Sequence, residues 1–401
     1  MFVGREDELD TLRRQYERRG FKMVVLYGRR RVGKTTLVDH FVQNRRALYF
    51  TAQQKSDAIN LRAFSQAVYR FFGMPEGAGA FSSWSDALSY AADRAGRDEA
   101  GFVFVFDEFP YAAEARPSLP SALLLAIDHG FSGTNVLMIL CSSNEGFMES
   151  EVLGVKSPLY GRRTAQIRLK PFDYYDAARM LPGHLTCQER VQYYSAFGGT
   201  PYYLAQIDPN ASFEGNVTEL LFNVSGLLYE EPLMLLCQEL REPALYHSAL
   251  DAVASGRTNP KGIAEAAGVD PNAAGRYLKT LEDLGIVERE VPLGESPGRT
   301  RRSKYALADP FFSFWYRFVS PSIGAIEAGA GRAAATSASG PALATYVGTQ
   351  FERVCLQWLV RQNRQGKLPF LATAFGRWWG TDPRAREEVD IDVMATAKAT
   401  S

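Results

Sequence analysis

The stretch Lys22-Met23-Val24-Val25-Leu26-Tyr27-Gly28-Arg29-Arg30-Arg31-Val32-Gly33-Lys34-Thr35-Thr36-Leu37-Val38-Asp39-His40-Phe41-Val42 decides how this chain folds. Residues 22–27 form an apolar run of strand length, and residues 36–42 carry helical spacing. Between them, residues 28–35 fit G-x-x-x-x-G-K-[ST], a phosphate-binding loop between a strand and a helix. Gly28 and Gly33 permit the tight turn that aims backbone N–H groups at phosphate oxygens. The helix that begins after Gly33 turns the positive end of its dipole to the same anion. In such a loop Lys34 reaches the β- and γ-phosphates and the Thr35 hydroxyl holds Mg²⁺. Arg31, Val32 and Thr36 complete the candidate nucleotide-binding stretch; Arg29 to Arg31 either add positive potential or face water. The expected ligands are ATP or ADP with Mg²⁺.

Working outward, Phe102-Val103-Phe104-Val105-Phe106-Asp107-Glu108 is an unbroken apolar run that ends in two carboxylates. Such a run suits a parallel strand buried on both faces, and its carboxyl end is where an open α/β sheet displays functional groups. Asp107 fits an orienter of Mg²⁺, and Glu108 a base that polarises the attacking water. A third run, Val136 to Cys141, ends in Ser142-Ser143-Asn144. Two readings are open there: a polar group, Ser142, at the γ-phosphate, or an ordinary serine or asparagine cap on the following helix. Residues 166–169 and 47–51 supply two further strands. Five short strands alternating with helical stretches predict a parallel sheet covered on both faces.

Length and composition frame this reading. A chain of 401 residues has room for two to three domains. Its 45 Lys and Arg balance 45 Asp and Glu, so any argument for nucleic acid must rest on local patches. The four cysteines (Cys141, Cys187, Cys237, Cys355) are scattered without a CxxC pair, which suggests neither zinc nor a disulfide framework. The N-terminus lacks the apolar core of a signal peptide, and no apolar run is long enough to span a bilayer. A cytoplasmic protein without membrane partners is expected.

Residues 171–240 read as helical, a lid over the nucleotide domain of residues 1–170. Residues 241–308 read as a winged helix: helices near 242–254, 261–267 and 271–283, a strand from Ile286, and a wing over 294–303. The wing is basic, and Arg299, Arg301, Arg302 and Lys304 are the candidate contacts to DNA phosphates; the other reading of this segment is a purely structural or regulatory packing piece, since its third helix offers only Arg276 and Lys279 beside Glu282 and Asp283. Residues 309–344 form a connecting segment whose Gly/Ala/Ser-rich part, 324–344, reads as a flexible linker.

The chain resembles the archaeal and bacterial AAA-type ATPases of the STAND class. The likeness rests on Phe2-Val3-Gly4-Arg5-Glu6-Asp7-Glu8-Leu9, the phosphate loop with Asp107 and Glu108, Pro158 to Arg163, Gly198-Gly199-Thr200-Pro201-Tyr202-Tyr203, Asp309 to Tyr316 and Gly376-Arg377-Trp378-Trp379. It implies that Val3, Gly4 and Arg5 lie near the adenine or ribose, that Arg162 or Arg163 acts as an arginine finger, and that Pro201 sits over the base. A finger supplied in trans implies a homo-oligomer. Residues 345–401 resemble the start of a PD-(D/E)xK nuclease-like fold, with Glu352 and Asp390 at two metal-binding positions. The acid-and-lysine strand such nucleases need is not reached by Ser401, so nuclease activity is not expected. The fold class expected is α/β: a P-loop NTPase parallel sheet with a helical lid, then a winged helix and a partial nuclease-like α/β domain. The function expected is an ATP-hydrolysing nucleotide-dependent switch; the alternative is a DNA-associated ATPase module serving a nuclease or recruitment role.

Overall fold

The apolar runs of the N-terminal part become five strands: β1 (Lys22–Tyr27), β2 (Ala47–Thr51), β3 (Phe102–Asp107), β4 (Val136–Ser142) and β5 (Ala165–Arg168). All pair in parallel, in the order β2-β3-β4-β1-β5. β3 and β4 are buried at every residue because helices cover both faces. The pleat divides each strand between two cores. Met23, Val25 and Tyr27 join an aromatic cluster with Phe50, Phe64, Trp84, Phe104 and Phe106, whereas Val24 and Leu26 join an aliphatic one with Leu37, Val38 and Ile139. The strand order decides which strand ends are neighbours. β4 lies between β1 and β3, so the ends of β1 and β3 flank the end of β4; the register pairs Tyr27 with Ser142 and Phe106 with Leu140.

The computed structural model describes residues 2–74, 79–296, 298, 300, 302–381 and 386–397. The chain divides into two units, residues 1–170 and 171–401. The second unit opens with helices Tyr174–Met180, Cys187–Phe197, Pro201–Leu204, Phe213–Leu221 and Glu231–Glu239. Three more, Pro243–Ala254, Pro260–Ala267 and Pro271–Asp283, lead into an antiparallel ribbon of β6 (Val287–Glu290) and β7 (Lys304–Leu307). That is the element order of a winged helix. A second ribbon, β8 (Ala374–Thr381) with β9 (Glu388–Thr396), follows a long helix at Gly340–Arg364. Among the described residues no helix is long and apolar enough to cross a membrane.

Two sequence blocks of the second unit are partners of each other. A Cβ on Gly199 would lie 1.9 Å from the Phe172 carbonyl oxygen, so only glycine lets these backbones meet. The Asp309 carboxylate accepts the amides of Phe311 and Phe312 at 2.9 and 3.3 Å, capping the helix that carries them. Phe311 then packs on Tyr203 at 4.5 Å between ring centres, and the Tyr203 hydroxyl donates to buried Glu231 at 2.7 Å.

The stretch expected as a flexible linker is structured instead. Helical turns run on from Pro310 and lead into the helix at Gly340, with Ile326, Ala338 and Leu343 buried in the unit's core. Its small residues serve close packing: a Cβ on Gly331 would stand 1.9 Å from the Phe222 carbonyl oxygen. Composition alone does not separate such a contact surface from a solvated tether. The expected boundary at residue 345 falls inside the long helix.

Candidate functional site

The loop between β1 and the helix Lys34–Val42 is held in shape before any ligand is considered. Gly28 has no room for a side chain, since a Cβ there would sit 2.2 Å from the Leu169 carbonyl oxygen. Gly33, the residue before the helix, has φ +93°, and Arg31 is itself left-handed at φ +71°. Non-glycine residues seldom occupy that region, and such strain gathers at binding sites. The Lys34 ammonium curls back over the loop and donates to the carbonyls of Gly28 and Arg29 at 2.7 and 3.0 Å. Thr35 and Thr36 stand exposed at the start of the helix, and Val32 is buried beneath it.

Arg5 braces the loop from below. Only 8% exposed, its guanidinium donates to the Val32 carbonyl at 3.0 Å and to the Lys170 carbonyl at 2.7 Å, with Glu8 at 3.3 Å. Gly4 and Arg5 both have φ +66°, which bends the chain under the loop ahead of the first helix, and Val3 is buried beside them. A second brace comes from Glu145, which accepts the Arg29 backbone amide and pairs with Arg168 at 2.6 Å. Burial raises the Glu145 pKa above the usual carboxylate range, against the pull of Arg168. Nothing in local spacing announces Glu145 or Arg168; they meet because β5 lies beside β1.

The acidic pair stands at the end of β3. Asp107 is buried, its carboxylate accepts the Glu108 amide at 3.0 Å, and the Tyr49 hydroxyl of β2 lies 3.4 Å away. Burial holds the Asp107 pKa above its usual value; the Cys141 thiol of β4, the Glu108 amide and the charge on Lys34 oppose that shift. The same carboxylate, with burial as the larger cause, drives the Tyr49 and Cys141 pKa values up. Glu108 takes a left-handed conformation, φ +50°, ahead of the helix Phe109–Ala115. Its carboxylate is clamped by Ser143, whose hydroxyl donates at 2.9 and 3.1 Å and whose amide lies at 3.3 Å. Ser142, the serine singled out from sequence, is fully buried, and its oxygen accepts the Asn144 amide at 2.9 Å. Asn144 in turn caps the short helix Glu145–Phe147. Ser143, not Ser142, is therefore the serine that meets Glu108.

Arg162 and Arg163 lie elsewhere in this unit. Arg162 grips Asp128 through two bonds of 2.7 and 2.9 Å, with 42% of its side chain exposed. Two residues on, the Thr164 amide donates to the Met23 carbonyl at 2.7 Å, at the amino end of β1. The phosphate loop leaves β1 at its other end, four residues away, or about 13 Å along a strand. Arg163 is exposed beside it. Pro201 opens the helix Pro201–Leu204 in the second unit.

The basic wing and the carboxylates expected to bind metal also belong to the second unit. Arg299 and Arg301 lie outside the described residues. Arg302 pairs with Glu295 and donates to the Trp379 carbonyl at 3.1 Å; the Lys304 ammonium lies 4.6 Å from the centre of the Trp379 ring. Glu352 and Asp390 do come together, but around a guanidinium. Arg377 is 3.3 Å from Glu352, 3.6 Å from Asp390 and 2.8 Å from Asp392. Among the described residues no group of three or more His, Cys, Asp or Glu side chains is arranged to hold a metal ion.

Comparison with known proteins gives the following likenesses. Residues 2–207 match the model of an ATPase domain described as predominantly from Archaea. Residues 315–401 match a family of archaeal and bacterial proteins of unknown function. An uncharacterized protein of Methanocaldococcus jannaschii is 29% identical over 391 residues, 98% of this chain and 84% of its own length. An uncharacterized ATP-binding protein of the same organism is 46% identical over 46 residues, 12% of this chain and 78% of its own. Among solved structures, the Walker-type ATPase of Pyrococcus abyssi superposes with a TM-score of 0.60 at 19% identity, covering 79% of this chain and 96% of that one.

Proposed function

The chain belongs to a family of ATPase domains found predominantly in Archaea, and from that premise we propose that it hydrolyses ATP with Mg²⁺ as a nucleotide-dependent switch. The observation that carries the proposal is the clamped carboxylate: Glu108 is fixed at the end of β3, next to the strand that Ser143 follows and one strand away from the phosphate loop. A base that polarises water must be held in one orientation, and two contacts from Ser143 do so.

The remaining groups fit a nucleotide. The Lys34 ammonium rests on carbonyls of its own loop, from which it can turn to the β- and γ-phosphates. The helix N-terminus after Gly33 supplies amides and a positive dipole end for the same phosphates. Thr35 and Asp107 are the residues to hold Mg²⁺, which when bound neutralises phosphate charge. Tyr49 and Cys141 orient Asp107. Arg5, Val3 and Gly4 shape the loop from beneath, so their reach to the base or ribose is indirect. Arg162, placed at the far end of β1, serves as a finger only toward a neighbouring copy, which makes the switch a homo-oligomer.

In this reading, residues 171–240 form the lid, residues 241–308 the winged helix, and ATP occupancy is transmitted from the first unit to the second, as in the STAND-class ATPases. The basic wing favours a second reading, in which the ATPase serves attachment to DNA. ATP turnover with and without duplex DNA, in wild type and Glu108→Gln, tests the first. Glu108→Gln should keep ATP bound while turnover falls at least 100-fold, and Lys34→Ala should lose binding. Wild-type turnover by Glu108→Gln would refute the assignment.

A further inference from the structure

Arg30 joins the phosphate loop to the helix that follows Glu108. Its guanidinium donates to the Tyr111 hydroxyl at 2.8 Å, and both side chains are half-buried. Tyr111 sits in the helix Phe109–Ala115, where its amide donates to the Glu108 carbonyl at 3.1 Å. Its ring packs on the aromatic core of the first unit, which makes it a fixed anchor. β1 runs into the loop and β3 into Asp107 and Glu108, with β4 between them. The two strand ends therefore stand two spacings apart, about 10 Å. Arg30 and Tyr111 together bridge that gap, at the end of the sheet where Ser143 holds Glu108. Phosphates held by the loop and a water activated by Glu108 meet in the same gap.

We propose that Arg30, positioned by Tyr111, neutralises the transferring γ-phosphoryl group of ATP within its own chain. The inference rests on the reading that Glu108 drives ATP hydrolysis, and it adds a cation to that site. In this reaction water attacks the γ-phosphorus and gives its proton to Glu108. The bond from the γ-phosphorus to the bridging oxygen breaks, the electron pair stays on that oxygen, and ADP and inorganic phosphate result. Charge is spread over the γ-oxygens and the bridging oxygen as this happens. A guanidinium carries five donors in one plane, so a hydroxyl that takes one of them fixes the direction of the others. No reorganisation is then needed at the moment of reaction, the condition under which such a charge is most effective. Arg162, at the far end of β1, reaches this gap only from another chain, whereas Arg30 already borders it.

The test is steady-state ATP turnover by the full chain, with binding of fluorescent N-methylanthraniloyl ADP measured alongside. Arg31, not Arg30, is the left-handed residue, so replacing Arg30 adds no backbone strain. Arg30→Ala should lower kcat at least about 100-fold while ADP affinity holds, because the group faces the third phosphate. Tyr111→Phe should lower kcat about tenfold, the loss of one hydrogen bond to a charged group, again at unchanged ADP affinity. Added guanidinium should restore part of the turnover of Arg30→Ala and none in Tyr111→Phe. Mixing Arg30→Ala with Lys34→Ala should restore nothing, since both defects lie in one site; recovery in the mixture would overturn action within the chain. A strut that merely shapes the loop would weaken ADP binding equally in both variants and gain nothing from guanidinium. That pattern, or an unchanged kcat in Arg30→Ala, would overturn the assignment and leave hydrolysis by Glu108 intact. A wild type that binds ATP without turning it over would overturn both.

Discussion

Arg5 distinguishes a nucleotide contact from a structural brace. Its guanidinium ties the Val32 carbonyl in the phosphate loop to the Lys170 carbonyl beyond β5. Arg5→Ala removes both bonds. A hydrogen bond from a charged group contributes about 1.5–3 kcal/mol when buried. The Lys170 carbonyl belongs to an exposed residue and can regain water, so the lower half of the summed range applies. The expected loss is about 3–4.5 kcal/mol, and in a domain of this size each kcal/mol shifts the melting temperature by about 2–4 °C. Thermal unfolding of the nucleotide-free protein should therefore show its first transition lowered by at least about 6 °C. ATP affinity should fall as well, because the loop loses the support under Val32. Arg5→Lys should rescue little, since one ammonium cannot span the two carbonyls as a planar fork does. If Arg5 instead serves the base or ribose, the nucleotide-free melting temperature will stay put while ATP affinity alone drops. That result would refute the brace.

Two other variants examine the chemistry. Ser143→Ala releases Glu108 from the hydroxyl clamp and leaves only the amide, so turnover should fall about tenfold at unchanged ATP affinity, the loss of one charged hydrogen bond; equal turnover would show that the clamp does not position the base. Arg162→Ala should leave the melting temperature unchanged, because its pair with Asp128 is at the surface, yet cut turnover at least 100-fold if the group acts as a finger. Mixing it with Lys34→Ala should then restore activity, each chain supplying what the other lacks, and a mixture no more active than its parts would exclude action in trans.

The parallel sheet was legible because its evidence is local. An apolar run of strand length, a glycine-flanked loop and a helical period each lie within a few residues, and β1 to β5 appear where those runs are. The acidic pair was legible for the same reason, as the end of one buried run. What spacing could not provide was partnership across elements. The choice between Ser142 and Ser143 shows the boundary well. Alternation along β4 puts Met138 and Leu140 on one face and Leu137, Ile139 and Cys141 on the other. Both faces of β4 are buried, so alternation does not choose between the two serines; the meeting of Ser143 with Glu108 depends on β3 lying beside β4. The same holds for Glu145 and Arg168, and for the reach of Arg5 to Lys170, because each depends on β5 lying beside β1.

The C-terminal carboxylates make the same point from the other side. Glu352 and Asp390 are separated by 38 residues, yet a likeness of pattern placed them together, and together they are. Pattern could not say what stands between them. A divalent cation needs oxygen ligands turned inward around a compact charge, whereas the guanidinium of Arg377 answers Glu352, Asp390 and Asp392 at once through its planar donors. Burial raises the Glu352 pKa and Arg377 opposes it, with Asp392 and Asp390 adding to the rise. The three acids thus share one cation, from the same strand that carries Trp379. Residue identity drew attention to the acids, but the arginine beside them sets the chemistry of the cluster, and its backbone carbonyl, bonded to Leu293, joins that cluster to the segment that follows β6.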